Sequence, residues 1–156
     1  KQLELSESTC KGVAIAAALH DIGKLKLNQD ILYKKEELSE EEFNHIKSHT
    51  EIGYEIVKGF NISNFIKDSI LEHHERIDGK GYPKGLKGGE INIGARILKV
   101  CYMFDALTMD RPYRQKYNLL EAIDIISKSN DYNKKVFMAL IEVLVGKELT
   151  IKTRRQ

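Results

Sequence analysis

The sequence has no surplus of either charge: 25 basic and 23 acidic residues leave a formal net charge of +2. No global field of one sign is available to attract a nucleic-acid duplex, so duplex binding is not expected. Cysteine is scarce. Cys10 and Cys101 are the two present, they fall on separate predicted helices, and neither belongs to a CxxC pair. This pattern favours free thiols in a reducing cytoplasm over a disulfide or a thiolate metal site. Long apolar runs are missing too. The longest apolar stretch without a formal charge, residues 12–19, is far too short to cross a bilayer, and residues 1–8 lack the layout of a signal peptide. No repeat or low-complexity segment interrupts the chain. What remains is 156 residues, 42% of them apolar, enough to bury one sizeable core and too few for a second full domain.

Against this plain background stands an ordered set of imidazoles and carboxylates. His20 and Asp21 lie within LHDIGK, His49 within KSHTEIG, and His73, His74 and Glu75 open the run HHERIDGKGYP. Neutral imidazole and carboxylate suit iron, manganese or zinc, whereas an all-oxygen shell would suit magnesium or calcium. A carboxylate beside a ligating imidazole can bridge two ions, and paired ions are the usual apparatus for attacking a phosphodiester. The residues thus point to metal-dependent phosphodiester chemistry.

Helical punctuation places these residues. Ser6-Glu7-Ser8 can cap a helix that runs through residues 13–19 and delivers His20 and Asp21 at its end, with Gly23 as the stop. Ser39 and Glu42 form a capping-box pattern for a second helix carrying Phe43, Ile46, His49, Ile52 or Gly53, and Ile56 at spacings of three to four. Residues 63–75 read as a third helix with two histidines closing its last turn. From 76 to 93, glycines at 79, 81, 85, 88 and 89 and a proline at 83 forbid regular structure and predict a long ordered loop, a feature that is usually functional. Helices over 94–109, 119–127 and 134–145 complete an all-α pattern that stops at Gly146, leaving 147–156 as a basic tail.

A lone histidine is more often a satisfied core or surface residue than a ligand. Taken together, His20, His49 and His73 sit at helix ends or on apolar stripes, where a neutral ring without a partner is costly to bury. His45 lies one turn before His49, but its neighbours Asn44 and Lys47 are polar, which argues against metal contact.

In this order and at these separations, LHDIGK, KSHTEIG, HHERIDGKGYPKGLKG and ARILKVCYMFDALTMDRPYR resemble the HD-GYP branch of the HD phosphohydrolases. The most specific part is the HHExxDGxGYP run, and the resemblance covers residues 5–145. It implies an all-α, HD-domain-like bundle of about six helices with a long GYP loop, spanning 1–146 and lacking the family's first helix. The implied activity is hydrolysis of the bacterial second messenger cyclic di-GMP to pGpG or GMP at a centre holding iron or manganese. By resemblance, His20, Asp21, His49, His73 and His74 are metal ligands, Asp21 is the bridge, and Lys24 reaches a substrate phosphate or the attacking oxygen. Gly81, Tyr82 and Pro83 line the nucleotide pocket, and Arg111 and Arg114 sit near the phosphates, where a guanidinium fork suits the task. An N-terminal receiver or other sensory domain is the expected partner.

Two departures bear on catalysis. The family's first metal-binding histidine lies on a helix well upstream of the His-Asp pair, whereas here nineteen residues precede His20 and none is histidine. The family also reads Ala-Asp-x-Phe-Asp-Ala-Leu-Thr where this chain has Cys101-Tyr102-Met103-Phe104-Asp105-Ala106-Leu107-Thr108, so Tyr102 stands in place of a ligating aspartate. Both losses fall on the ion shared by His20 and Asp21, so one to two ions are expected. Two readings stay open: a working phosphodiesterase, and a degenerate module that binds cyclic di-GMP or a partner protein without hydrolysis. A general nucleotide phosphohydrolase is the third, weakened by the GYP run.

Overall fold

A computed structural model describes residues 3–110 and 115–153, with side chains placed through residue 146. The Ser6 side chain accepts from the Thr9 amide at 3.1 Å and opens α1 (Glu7–Leu19), which ends on His20. A tight 3-10 turn, Ile22–Lys26, follows, and then the short α2 (Gln29–Leu32). Gly23 is not the helix stop predicted for it. It lies inside that turn with an ordinary negative φ, and an added methyl would overlap the carbonyl of His49 and come within 2.7 Å of the Gly53 amide. Its missing side chain allows the turn to press against α4.

The Ser39–Glu42 capping box is formed in both directions and starts α3 (Glu40–Lys47). The single helix predicted from here is two. Ser48 interrupts it, with its amide reaching back to the carbonyls of Asn44, His45 and Ile46 and its hydroxyl donating to the His45 carbonyl at 2.6 Å. A side-chain hydroxyl that competes for the last carbonyls of a turn weakens helix continuation. α4 (His49–Lys58) therefore begins on His49. His45 accepts a hydrogen bond from the Asn28 amide at 3.0 Å and so fastens α2 rather than facing the other histidines.

α5 (Asn64–Glu72) delivers His73 at its C-terminal cap, and α6 (Ile93–Thr108), capped by the Asn92 side chain on Gly94, runs past it. α7 (Leu119–Ser127) and α8 (Lys134–Thr153) close the bundle. The predicted stop at Gly146 is not realised, since α8 continues through it. A glycine costs a helix interior only about 1 kcal/mol, and good helix formers flank this one. Among the described residues there is no strand, only one isolated bridge between Asp78 and Lys87.

Two apolar clusters flank α6. Ala16, Val57, Ile66, Ile70 and Leu98 tie α1, α4 and α5 to one side of it. Val100, Ile126, Tyr132, Val136 and Phe137 tie α7 and α8 to the other. The first cluster fixes the ends of α1 and α5 and the start of α4 against one another, and every one of those ends carries a histidine.

Candidate metal centre

His20, His49 and His73 share one local device. Each ring Nδ1 lies 2.7 to 2.8 Å from the carbonyl three residues before it, Ala17, Ile46 and Ile70 respectively. A carbonyl can only accept, so Nδ1 carries the hydrogen, and the neutral form of such a ring presents a lone pair on Nε2. Those lone pairs converge. His49 Nε2 is 3.3 Å from His73 Nε2, and Asp21 Oδ1 is 3.5 Å from the former and 4.0 Å from the latter. His49 is 1% and His73 2% exposed.

Three acceptors facing one another satisfy nothing, and Asp21 Oδ1 is a buried oxygen with no hydrogen-bond partner among the described residues. Buried acceptors are normally paired. A divalent cation resolves the conflict, and the backbone-fixed tautomer is the usual support for an imidazole ligand. Two donor groups meet the spacing for an ion, with atoms within 4.8 Å of one another: His49, His73 and His74 in one, and His20, Asp21 and His73 in the other. Bonds of about 2 Å from each donor could meet between such atoms. The residues therefore fit a metal.

The electrostatics agree. Burial pushes the His49 ring below the ordinary histidine range, against the opposing pull of Asp21. Burial and the imidazoles of His20 and His49 push His73 down to about 3, and burial with His73, His49, Lys99 and Lys24 pushes His74 down to about 2. Neutral rings are the ligating form. Burial alone would raise the Asp21 carboxyl, but the hydrogen bond and charge of Lys24, with His20 and His49, outweigh it and hold the acid below its usual range. Lys24 Nζ sits 2.7 Å from Asp21 Oδ2.

The GYP loop closes one side. The Tyr82 ring stacks on His74 with centroids 4.7 Å apart and planes 19° from parallel, and Gly81 passes so close to the Glu75 and Arg76 backbone that no side chain would fit. The Tyr82–Pro83 peptide is cis. Glu75, counted in the sequence among the acids of the cluster, turns away from it. Its buried carboxylate accepts from the amides of Lys84 at 2.6 Å, Gly85 at 3.1 Å and Leu86 at 3.0 Å and so shapes the loop. Glu72 does similar work on the Asn92 amide at 2.8 Å. Neither role is marked by the motif, though a glycine-rich loop full of unpaired amides calls for such an acceptor.

On the other side Tyr102 meets His74 edge-on at 5.8 Å. With Ala17, His20, Leu98, Cys101 and Asp105 it lines a cavity of about 180 Å³. Asp105 belongs to neither donor group. Arg111 and Arg114 lie outside the described residues.

Comparison with known proteins agrees with this geometry. The model of the HD domain matches residues 1–136. The chain is 42% identical over 126 residues to the cyclic di-GMP phosphodiesterase response regulator RpfG of Xanthomonas campestris, covering 79% of this chain and 33% of that protein. It is 38% identical over 127 residues to a 3'3'-cGAMP-specific phosphodiesterase of Vibrio cholerae, covering 81% and 29%. A solved cyclic GMP-AMP-specific phosphodiesterase of V. cholerae superposes with a TM-score of 0.67 at 19% identity, over 93% of this chain and 40% of that one. The chain thus spans about a third of the length of the curated relatives it matches. No described helix is long and apolar enough to cross a membrane. With its helix-end histidines, its converging Asp21 and its GYP loop folded over them, the chain belongs to the HD-domain family and to the HD-GYP branch within it.

Proposed function

We propose that this chain is a metal-dependent phosphodiesterase domain that opens a cyclic dinucleotide, cyclic di-GMP first among them, to pGpG or GMP. The observation that carries the proposal is the meeting of His49 Nε2, His73 Nε2 and the unpartnered Asp21 Oδ1 as three acceptors at one point. The names of the curated relatives support the substrate class. Neutral imidazoles with one carboxylate suit iron or manganese, one or two ions in number. Bound there, such ions supply charge neutralisation at phosphorus and an acidified water.

The chain's own residues do the rest. His49, His73 and His74 present neutral nitrogens, and Asp21 offers an oxygen to the group it forms with His20 and His73. Lys24, one-third exposed (32%), donates one ammonium hydrogen to Asp21 Oδ2 and has others to offer a phosphate oxygen. Tyr82 and Pro83 wall the pocket, and Arg111 and Arg114 are assigned the phosphates. In a longer protein of the relatives' kind the domain would answer to a receiver or sensory unit, and its second-messenger substrate implies the cytoplasm.

One observation favours a second reading, binding without hydrolysis. Tyr102 stands where the family has an aspartate, which leaves His20, Asp21 and His73 as the described donors of their group. The test is chromatography of cyclic di-GMP products with manganese or ferrous iron supplied, on the wild-type chain, Asp21→Ala and Tyr102→Asp, alongside calorimetric binding. Turnover abolished by Asp21→Ala supports hydrolysis. Binding without turnover, with turnover appearing in Tyr102→Asp, selects the second reading, and absence of both binding and turnover overturns the two together.

A further inference from the structure

Tyr82, whose ring stacks on His74, also borders a cleft of about 200 Å³, lined by Asn44, Lys47, Ser48 and Glu51 from the α3–α4 junction and by Tyr82 and Pro83 from the loop. Its lining includes an aromatic ring and a proline, surfaces on which a planar base stacks well. Its other lining residues are polar, and of these the Ser48 hydroxyl is engaged with the His45 carbonyl. Among the described residues, no hydrogen bond or ion pair engages the side chains of Asn44, Lys47 or Glu51, and the Lys47 ammonium hangs over the Phe43 ring at 5.0 Å and the Tyr82 ring at 6.0 Å. Tyr82 links this cleft to the histidines directly, since it packs on His74 with one face.

We propose that this cleft seats one base of the cyclic dinucleotide and that Glu51 and Lys47 make it read guanine in preference to adenine. The proposal rests on the dinucleotide reading above. Guanine carries two adjacent donors, N1–H and the 2-amino group, and a carboxylate is the side chain that accepts both at once. On its other edge O6 and N7 are acceptors, which suit a lysine ammonium. Adenine places an acceptor, N1, beside its amino group. A carboxylate facing that edge would gain one hydrogen bond and meet one repulsion. Sites built for a hydrogen-bond pair reject ligands that leave it unmade far better than apolar pockets reject a change of shape. A matched pair of this kind discriminates by roughly tenfold to a hundredfold.

The consequence concerns which messenger this chain prefers, a point on which its relatives' names diverge. The order expected is cyclic di-GMP first and cyclic di-AMP last, with 3'3'-cGAMP able to present its one guanine. The experiment measures affinities for all three with manganese present, or kcat/KM wherever turnover occurs, on the wild-type chain, Glu51→Gln, Lys47→Met and Glu55→Gln. Glu55 pairs with Lys58 on the solvent side of the same helix and serves as the control. Expected are a preference of cyclic di-GMP over cyclic di-AMP of at least about tenfold, its collapse toward unity in Glu51→Gln with metal content unchanged, and no change in Glu55→Gln. An unaltered preference in both Glu51→Gln and Lys47→Met overturns this cleft while leaving the dinucleotide activity standing. Absence of binding by any of the three on the wild-type chain overturns both.

Discussion

Acidifying the metal-free protein from pH 7.5 to pH 5 is expected to remove about 4 kcal/mol of its folding stability. An unfolded histidine titrates near about 6.5, whereas in the fold His73 is pushed down to about 3 and His74 to about 2, by burial first and then by neighbouring positive charge. Between those limits the unfolded chain binds protons that the folded chain refuses, so stability falls as pH falls. Each unit of pH below the unfolded value costs about 1.36 kcal/mol per histidine, or about 2 kcal/mol at pH 5. Two such residues give the total, and His49, lowered in the same direction, adds to it. Asp21 acts in a different window. Its carboxyl is held below the ordinary range, so its contribution is intact above about pH 4 and lost only below it. Since small domains hold about 5 to 15 kcal/mol in all, the histidine effect should be plain in urea unfolding with EDTA at pH 7.5, 6.5, 5.5 and 5.0. His73→Leu should remove about half of the pH dependence. A stability that stays flat from pH 7.5 to pH 5 would refute the reasoning, because it would mean that the rings are protonated in the fold or hydrated enough to ignore burial.

Two further perturbations test how the site is built. Gly23→Ala places a methyl against the His49 carbonyl and the Gly53 amide, groups that cannot move without moving α4; about 3 kcal/mol of stability should go, manganese should bind more weakly by equilibrium dialysis, and unchanged values for both would show that the turn and α4 are loosely packed. Glu75→Gln exchanges a carboxylate that serves three amides for a group with one acceptor, costing about 2 to 4 kcal/mol by urea unfolding; equal stability would mean that the loop is held from elsewhere, by Arg76, Asp78 and Asp131.

Much of the fold was legible because its signals are local. Ser6, the Ser39–Glu42 box and the bounds of α7 follow from capping chemistry and spacing alone. The errors are tertiary. Gly23 read as a stop because glycine usually ends helices, but its reason is contact with a residue 26 positions on. The break at Ser48 was hidden because apolar spacing continues across it; only the competition of its hydroxyl and amide for the last carbonyls of α3 reveals it. The residues that converge, His20, Asp21, His49, His73 and His74, were named from the motifs. Their mutual approach could not be read there, since it depends on the first apolar cluster holding α1, α4 and α5 in register, and nothing in a linear pattern encodes that distance.

The placement of the histidines at helix ends has its own logic. The last carbonyls of a helix have no amide to accept from, and here those of Ala17, Ile46 and Ile70 take the Nδ1 hydrogens of His20, His49 and His73. Unmet backbone need and ligand tautomer are thereby settled by one bond. The same arrangement aims the C-terminal ends of α1, α3 and α5 at a common centre. Each such end carries the negative pole of its helix, worth about 0.3 to 1 kcal/mol to a nearby cation where exposed and more where buried. At the α3–α4 junction the positive pole of α4 offsets the end of α3, so α1 and α5 carry the attraction for a cation in a chain whose net charge is positive. A histidine in mid-helix would share its carbonyl with a backbone amide, so the same residues moved one turn inward would be held less firmly. The break at Ser48 bears on this geometry, because it starts α4 on His49 and so sets the ring at a helix end, where Nδ1 donates to the Ile46 carbonyl and Nε2 faces Asp21.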